Sequence, residues 1–215
     1  MSSSAPNQDS TQIDSISDNS INPEVHFRNA EQQYLKGFYG ESLSSYQRAL
    51  QGFEKRNDNL RSGQTLLAIG LVYYQTGKYV EALSTYQRAS LIFRVVGSNS
   101  DKATLLNRLG VIHDKLGNFN ESLNFYEQSI RLYASVNDRL GKSRVNHNVG
   151  LLHYRLGNYS DAIEAYQKAL LLRREIGDRL GESLILQKIG NIYFDLGQLS
   201  KALSTYEYAL NLINQ

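Results

Sequence analysis

Ile69-Gly70-Leu71-Val72-Tyr73-Tyr74-Gln75-Thr76-Gly77-Lys78-Tyr79-Val80-Glu81-Ala82-Leu83-Ser84-Thr85-Tyr86-Gln87-Arg88-Ala89 decides the fold, because its marked residues return every forty positions. Gly70, Gly110, Gly150 and Gly190 form one phased series, and Gly37, Gly77, Gly117, Gly157 and Gly197 form a second. Tyr39, Tyr79, Phe119, Tyr159 and Leu199 follow two residues after that second series. Ser42, Ala82, Ser122, Ala162 and Ala202 keep one position small, as do Ala49, Ala89, Ser129, Ala169 and Ala209. Tyr46, Tyr86, Tyr126, Tyr166 and Tyr206 are an unbroken aromatic series. Self-similarity at a period of this length marks a repeat architecture.

Each forty-residue unit reads as two amphipathic helices. In residues 141–180, Leu151, Leu152, Tyr154 and Leu156 enrich one helix, and Gly157 ends it as a residue able to enter the left-handed region. Ser160 is expected to cap the second helix, with Asp161 placing an acid in its first turn. Ala162, Tyr166, Ala169 and Leu170 recur at three- and four-residue steps along that helix. It is expected to end at Gly177, whose equivalents are Asn57, Gly97 and Asn137, the residue types most tolerant of positive φ. Asp58, Ser98, Asp138 and Asp178 follow as turn residues. Asn22-Pro23 opens the array as an N-cap followed by proline at the first helical position. The Gly70 and Ala82 series allow the paired axes to approach to the short end of the range of about 8–10 Å. The Tyr86 series is expected to fill the space beside that contact. Such a pair cannot bury its own apolar face alone and must stack on neighbours.

These residues resemble the tetratricopeptide repeat (TPR), and the resemblance covers residues 23–215. It implies an all-α fold, a right-handed α-α superhelix (TPR solenoid) of five helix-turn-helix repeats, with first helices lining the concave side. The expected boundaries are 22–60, 61–100, 101–140, 141–180 and 181–215, behind a disordered, Ser-rich acidic tail at 1–21. Two departures stand out: the period is 40 rather than 34, and the late proline is missing. Segments such as Glu175-Ile176-Gly177-Asp178-Arg179-Leu180-Gly181-Glu182 are similar to the 40-residue repeats of Pins-type adaptors and of bacterial, notably cyanobacterial, TPR proteins. Kinesin light chain has related, slightly longer units. The first repeat diverges most, with Ala30 in the glycine slot and Gln33 where later units carry Tyr or His.

Composition excludes several classes. The 215 residues contain no Cys, so there is no disulfide scaffold, thiolate metal site or cysteine nucleophile. The apolar runs are short, such as Ala169-Leu170-Leu171-Leu172, against the roughly 20 residues a spanning helix needs. No membrane insertion is expected. Residues 1–20 lack the basic start and apolar stretch of a secretory signal, so a cytoplasmic protein is expected. A net charge of +2 argues against nucleic acid as partner. That charge is uneven: residues 1–20 carry Asp9, Asp14 and Asp18 with seven Ser and no Lys or Arg. Such a stretch cannot bury enough surface to offset chain entropy.

The search for catalytic chemistry finds none. His113 and His153 occupy the slot held elsewhere by Tyr73 and Tyr193, a packing position, and no third metal ligand stands at suitable spacing. His26 and His147 lie on first helices without a nucleophile arrangement. Gly-x-Gly-x-x-Gly is absent, and Val136 stands where a phosphate loop ending in Gly141-Lys142-Ser143 would need its first glycine. The chain is therefore read as non-enzymatic, without cofactor or metal.

The resemblance instead implies a groove lined by first-helix positions around the Gly70-type glycine. In this chain those positions include Asn107, Arg108, Arg144, His147, Asn148, Gln187, Lys188 and Asn191, and further along the same helices Tyr74, Lys115, Tyr154 and Arg155. Amides can bond an extended peptide backbone, cations can pair with carboxylates, and aromatics add rigid contact. The asparagine ladder of the Pins and kinesin-light-chain type is matched by Asn148 alone, since the other positions read Arg28, Ala68, Arg108 and Lys188. Arg144, Asn148 and Lys188 match part of the chaperone-tail carboxylate clamp, whereas Leu67 and Leu71 do not. Residues 141–180 carry seven basic and four acidic residues. The expected ligand is a protein or peptide with an acidic or C-terminal segment, bound by units three to five. In the last helix Leu203, Tyr206, Leu210 and Ile213 form an apolar series, which leaves self-association, a partner or fraying as its fate. The leading reading is a scaffold, adaptor or assembly factor. Its rival is a ligand- or peptide-responsive regulator of bacterial signalling.

Overall fold

The computed structural model describes residues 22–214, so the acidic tail expected at 1–21 lies outside the described residues. Ten helices and no strand occur among the described residues. They are α1 (Pro23–Leu35), α2 (Tyr39–Lys55), α3 (Asn59–Gln75), α4 (Tyr79–Val96), α5 (Asn99–Lys115), α6 (Phe119–Ser135), α7 (Arg139–Arg155), α8 (Tyr159–Glu175), α9 (Arg179–Asp195) and α10 (Leu199–Ile213). The chain forms two compact units, α1–α4 and α5–α10. In the first, α1 packs on α2, α3 on α4 and α2 on α3. In the second, the pairs α5/α6, α7/α8 and α9/α10 are joined by α6 on α7 and α8 on α9. The fold is all-α, a succession of helix-turn-helix repeats.

The phased glycines do two different jobs. Gly157 adopts φ 76°, and Asn158 N–H reaches back to the His153 carbonyl at 2.9 Å, closing the C-terminal turn of α7. Asn57 (φ 56°), Asn137 (φ 55°) and Gly177 (φ 70°) terminate second helices in the same way. Gly97 stands outside this set: α4 runs to Val96, and the chain enters α5 through extended Ser98 (φ −64°, ψ 165°). Ser98 builds a reciprocal capping box with Asp101, which replaces the hydrogen-bonded turn of the other junctions.

The helical glycines make room for an aromatic ring. A Cβ on Gly110, Gly150 or Gly190 would come within 2.6, 2.7 and 2.5 Å of the rings of Tyr126, Tyr166 and Tyr206. The tyrosines therefore lie directly on the glycines rather than beside the small-residue contact. Tyr86, Tyr126 and Tyr166 are consequently among the largest fully buried side chains. In the first repeat, where Ala30 replaces the glycine, Tyr46 makes an edge contact with Phe27 at 5.3 Å.

The small-residue series also carry buried hydrogen bonds. Ser122 Oγ donates to the Gly110 carbonyl and Ser42 Oγ to the Ala30 carbonyl, each at 2.8 Å. A second contact uses positions 26 residues apart. Ser129 Oγ donates to Ala103 O at 2.7 Å, while the roles reverse for Ser143 to Ala169 (3.0 Å) and Ser183 to Ala209 (2.8 Å). One serine and one alanine thus fill each site, whichever helix bears the hydroxyl.

Three first helices, α3, α7 and α9, begin at acidic caps. Asp58, Asp138 and Asp178 accept from the backbone N–H of Arg61, Gly141 and Gly181 at 3.0, 2.7 and 2.8 Å. Second helices start differently, and the cap expected at Ser160 is displaced. Helix α8 starts at Tyr159 behind Asn158, whose side chain makes no capping bond, so Ser160 already lies in the first turn. The Gly157 turn leaves Asn158 alone at the N-cap position: Tyr159 N–H bonds the Gly157 carbonyl at 2.9 Å, and Ala162 N–H bonds the Asn158 carbonyl at 3.0 Å.

Candidate functional site

In the second unit, α7 and α9 bring six of the twelve predicted residues together in two recesses. Arg144, His147 and Asn148 of α7, with Arg173 of α8 and Gly181, Leu184 and Ile185 of α9, enclose about 220 Å³. Gln187, Lys188 and Asn191 of α9, with Tyr206, Leu210 and Ile213 of α10, enclose about 380 Å³. His147, on the wall of the first recess, feels the charge of Lys188 from the second. Burial lowers its pKa below the ordinary histidine value, and the charges of Lys188 and Arg173 lower it further. The ring, edge-on to Tyr166 at 5.6 Å, is therefore neutral at pH 7.

The cations divide by whether the fold already occupies them. Arg173 pairs with Asp178 and donates Nε–H to Ser143 Oγ at 3.0 Å. Arg155 pairs with the buried carboxylate of Asp114. Arg108, Arg144 and Lys188 pair with no carboxylate among the described residues. Arg108 and Arg144 both act on the Tyr133 hydroxyl, whose pKa burial raises and their charges pull down. Lys115 is exposed at the end of α5.

The amides and tyrosines make bonds of their own. Asn148 Nδ2 donates to Oδ1 of buried Asn107 at 2.9 Å, joining α7 to α5. Asn191 Oδ1 accepts from the Tyr206 hydroxyl at 2.8 Å, and Gln187 is exposed. Tyr154 donates to Asp195 Oδ2 at 2.6 Å, a bond that pushes its pKa up to about 12, and its ring leans on Tyr159 at 5.8 Å. Tyr74 belongs to the first unit, where its ring leans on Tyr79 at 5.9 Å. The recess of that unit is of another kind, about 530 Å³ lined by Phe27, Tyr34, Leu35, Tyr46, Ala68 and Leu71, with Arg28 and Glu31.

Sequence reasoning missed three features. Arg173 enters the first recess from a second helix. The bonds Asp114–Arg155, Tyr154–Asp195 and Gln75–Tyr34 each span 41 residues, one helix to its counterpart in the next repeat. Complementary side chains at that offset were the available signal. A further recess, of about 690 Å³, shares no residue with the two on α7 and α9. It is lined by Ile130, Tyr133, Leu171, Leu172 and Lys142, with the Arg139–Glu175 pair (3.0 Å) among its walls. Its residue types do not recur together in the other repeats, so periodicity could not reveal it.

His113 and His153 are packing residues: His113 lies against Phe125 at 5.0 Å, and His153 Nδ1 is buried 3.8 Å from Asp161. Among the described residues no group of three His, Asp or Glu side chains could hold a metal. No described helix is long and apolar enough to cross a membrane.

Asp178 shows how the recess couples to pH. The Gly181 N–H, assisted by the charges of Arg173 and Arg144, holds its carboxyl below the usual carboxylate value. A depressed folded-state pKa contributes stability that is present above about pH 4 and is lost as pH falls through the folded value. Asp178→Asn should therefore be less stable than the parent near neutral pH, with the gap closing in urea titrations as pH falls below the ordinary carboxylate range.

No curated protein matches the chain in sequence. Solved structures share its fold. BtubC (BKLC) from P. vanneervenii is 19% identical over 96% of this chain and 92% of that one, with a TM-score of 0.75. A Rap protein complexed with Competence and Sporulation Factor gives a TM-score of 0.79 at 14% identity, over 88% of this chain and 53% of that one. The Rap conjugation gene regulator of plasmid pLS20, in complex with the Phr* peptide, gives 0.77 at 15%, over 95% and 56%. The chain thus spans about half the length of the Rap proteins. Tetratricopeptide repeats match at residues 24–90, 61–135 and 142–215. With forty-residue helix pairs whose tyrosines seat on helical glycines, the chain belongs to the tetratricopeptide repeat family.

Proposed function

We propose that this protein is a non-catalytic interaction scaffold, an adaptor or assembly factor of the cytoplasm, whose α7–α9 face binds an acidic or C-terminal segment of a partner. One observation carries the reading. Arg144 and Lys188 stand on successive first helices beside the neutral ring of His147, and neither is held in an ion pair by a described carboxylate, although the charge of Arg144 reaches Asp178. Cations that the fold leaves without an ion pair in a concave site favour a carboxylate over a neutral ligand. Asn148 Oδ1, Gln187 and Asn191 supply the amide groups that an extended backbone needs.

Affinity capture with mass spectrometry tests this. The Arg144→Glu/Lys188→Glu variant should lose its principal partner at least tenfold relative to the parent, while keeping the parental melting temperature because both side chains reach solvent. An unchanged partner set would overturn the reading. The second reading, a peptide-responsive regulator of bacterial signalling, is favoured by the two Rap structures, each solved with a bound factor or peptide. It requires the captured ligand to be a short free peptide rather than a segment of a folded protein.

A further inference from the structure

The groove of about 690 Å³ lies between α6 and α8 over the first half of α7, and other repeats of the same chain show what it lacks. Arg139, Lys142 and Asn146, three and four residues apart, line it from α7. That stripe differs from the one bearing Arg144, His147 and Asn148. Ile130, Leu171 and Leu172 supply apolar walls. Elsewhere the chain bridges the corresponding groove with its own side chains. In the first unit Glu54 of α2 reaches Arg88 of α4 at 3.4 Å. Between α8 and α10, Arg174 bonds Glu182 of α9 at 2.6 Å and lies over the Tyr208 ring at 5.9 Å. Each of these two grooves thus contains a glutamate, and each glutamate answers an arginine.

In the α6/α8 groove the same three repeat positions carry Ala134, Lys142 and Lys168. Ala134 stands where the other grooves have Glu54 and Arg174, and it is too short to reach across. Lys142 replaces Glu182, and Lys168 replaces Arg88. The cations remain and the carboxylate is gone. Half-buried Lys142 pairs with no described carboxylate. The acids nearby are engaged: Glu175 with Arg139 at 3.0 Å, Asp138 with the Gly141 N–H at 2.7 Å, and Glu164 with Lys168 at 2.6 Å. The last is an exposed pair within one helix, which an incoming carboxylate displaces at little cost.

We infer that a partner protein lays an acidic side chain over Ala134, beside Lys142 and Lys168, with neighbouring aliphatic residues against Ile130 and Leu171. The carboxylate missing from this groove is then supplied in trans. Leu171 is 59% exposed, so the groove stays open along one side. An open trough suits a segment of polypeptide, whereas a small molecule needs enclosure. This second docking site is independent of the α7–α9 face.

The probe is a random dodecapeptide library displayed on phage, selected on the full chain carrying Arg144→Glu/Lys188→Glu so that the α7–α9 face takes no part. Recovered peptides should share an acidic residue next to Leu, Ile or Val. Synthesised alone, such a peptide should bind the unaltered chain saturably in fluorescence anisotropy. Replacing its acid by the matching amide should weaken binding about tenfold, the loss of one charge-assisted contact. Ala134→Glu in the protein should weaken it by a similar factor without lowering the melting temperature, because it restores to this groove the carboxylate that Glu54 supplies in the first unit. Four results would each overturn the inference: no enrichment, enriched peptides without an acid, equal binding by Ala134→Glu, or binding only after residues 1–21 are removed, which would make the chain's own acidic tail the occupant.

Discussion

Gly150→Val should unfold the second unit at a temperature well below that of the parent, with a loss of about 3 kcal/mol or more. Its Cβ would come within 2.7 Å of two Tyr166 ring atoms, and that ring is fully buried between α7 and α8. A ring packed on all sides cannot swing away, so either the helices separate or Tyr166 leaves its rotamer. Overpacking of this kind costs about 1–3 kcal/mol for a few added methylenes. Valine adds a β-branched side chain against an aromatic that has no alternative pocket, which puts it at the upper end. The control is Gly157→Ala, where a Cβ meets nothing within 4 Å but the backbone holds φ at +76°. That substitution should cost only about 1–2 kcal/mol, the expense of a left-handed residue with a side chain. Urea denaturation of both variants checks the order; a Gly150→Val protein as stable as Gly157→Ala would refute the ring-on-glycine contact.

Arg155→Ala should lose about 2–3 kcal/mol, although Arg155 is a surface residue on a face read as partner-binding. The Asp114 side chain is 6% exposed and sits near the C-terminal end of α5, where the helix dipole already disfavours an anion. Removal of Arg155 strands that carboxylate. A fully buried pair broken from one side costs about 3–5 kcal/mol, and the 35% exposure of Arg155 lets water recover part of it. Asp114→Ala/Arg155→Ala should then be more stable than Arg155→Ala alone, because the stranded charge is gone. A double-mutant cycle by thermal melting measures this. If Arg155→Ala melts like the parent, Arg155 does not serve as the counter-ion of Asp114.

These two residues show how far the sequence could be read. Period, pairing and turn positions follow from single-residue constraints: only Gly or Asn tolerates the turn φ at 57, 137, 157 and 177, and only Gly admits a ring against a helix at 110, 150 and 190. Such constraints leave a mark at one position and recur with the repeat. The role of Arg155 depends instead on which residue lies opposite it across a helix pair, and Asp114 occupies a slot that other units fill with Tyr or Phe. The 41-residue pairing recurs at Tyr34–Gln75 and Tyr154–Asp195 with different residue types, so the offset repeats while no residue identity does. The same lack of a recurring residue holds for Arg173, drawn from a second helix into the α7–α9 recess, and for the capping box at Ser98. The cap of α8 lies at Asn158, two residues before Ser160, because the helix starts straight from the Gly157 turn and needs no side-chain bond there, which no composition rule distinguishes from a serine-capped start. Lys188 and Arg144 are legible as cations, but their contrast with the occupied Arg155 and Arg173 depends on which carboxylates the fold brings opposite each.

The most direct test of the account is a hydrogen–deuterium exchange footprint of the protein with and without its captured partner. Protection should appear on the Arg144–Asn148 segment of α7 and the Gln187–Asn191 segment of α9, and should vanish with Arg144→Glu/Lys188→Glu. Protection confined to α6 and α8 around Ile130, Leu171 and Leu172, with α7 and α9 unchanged at those segments, would contradict it.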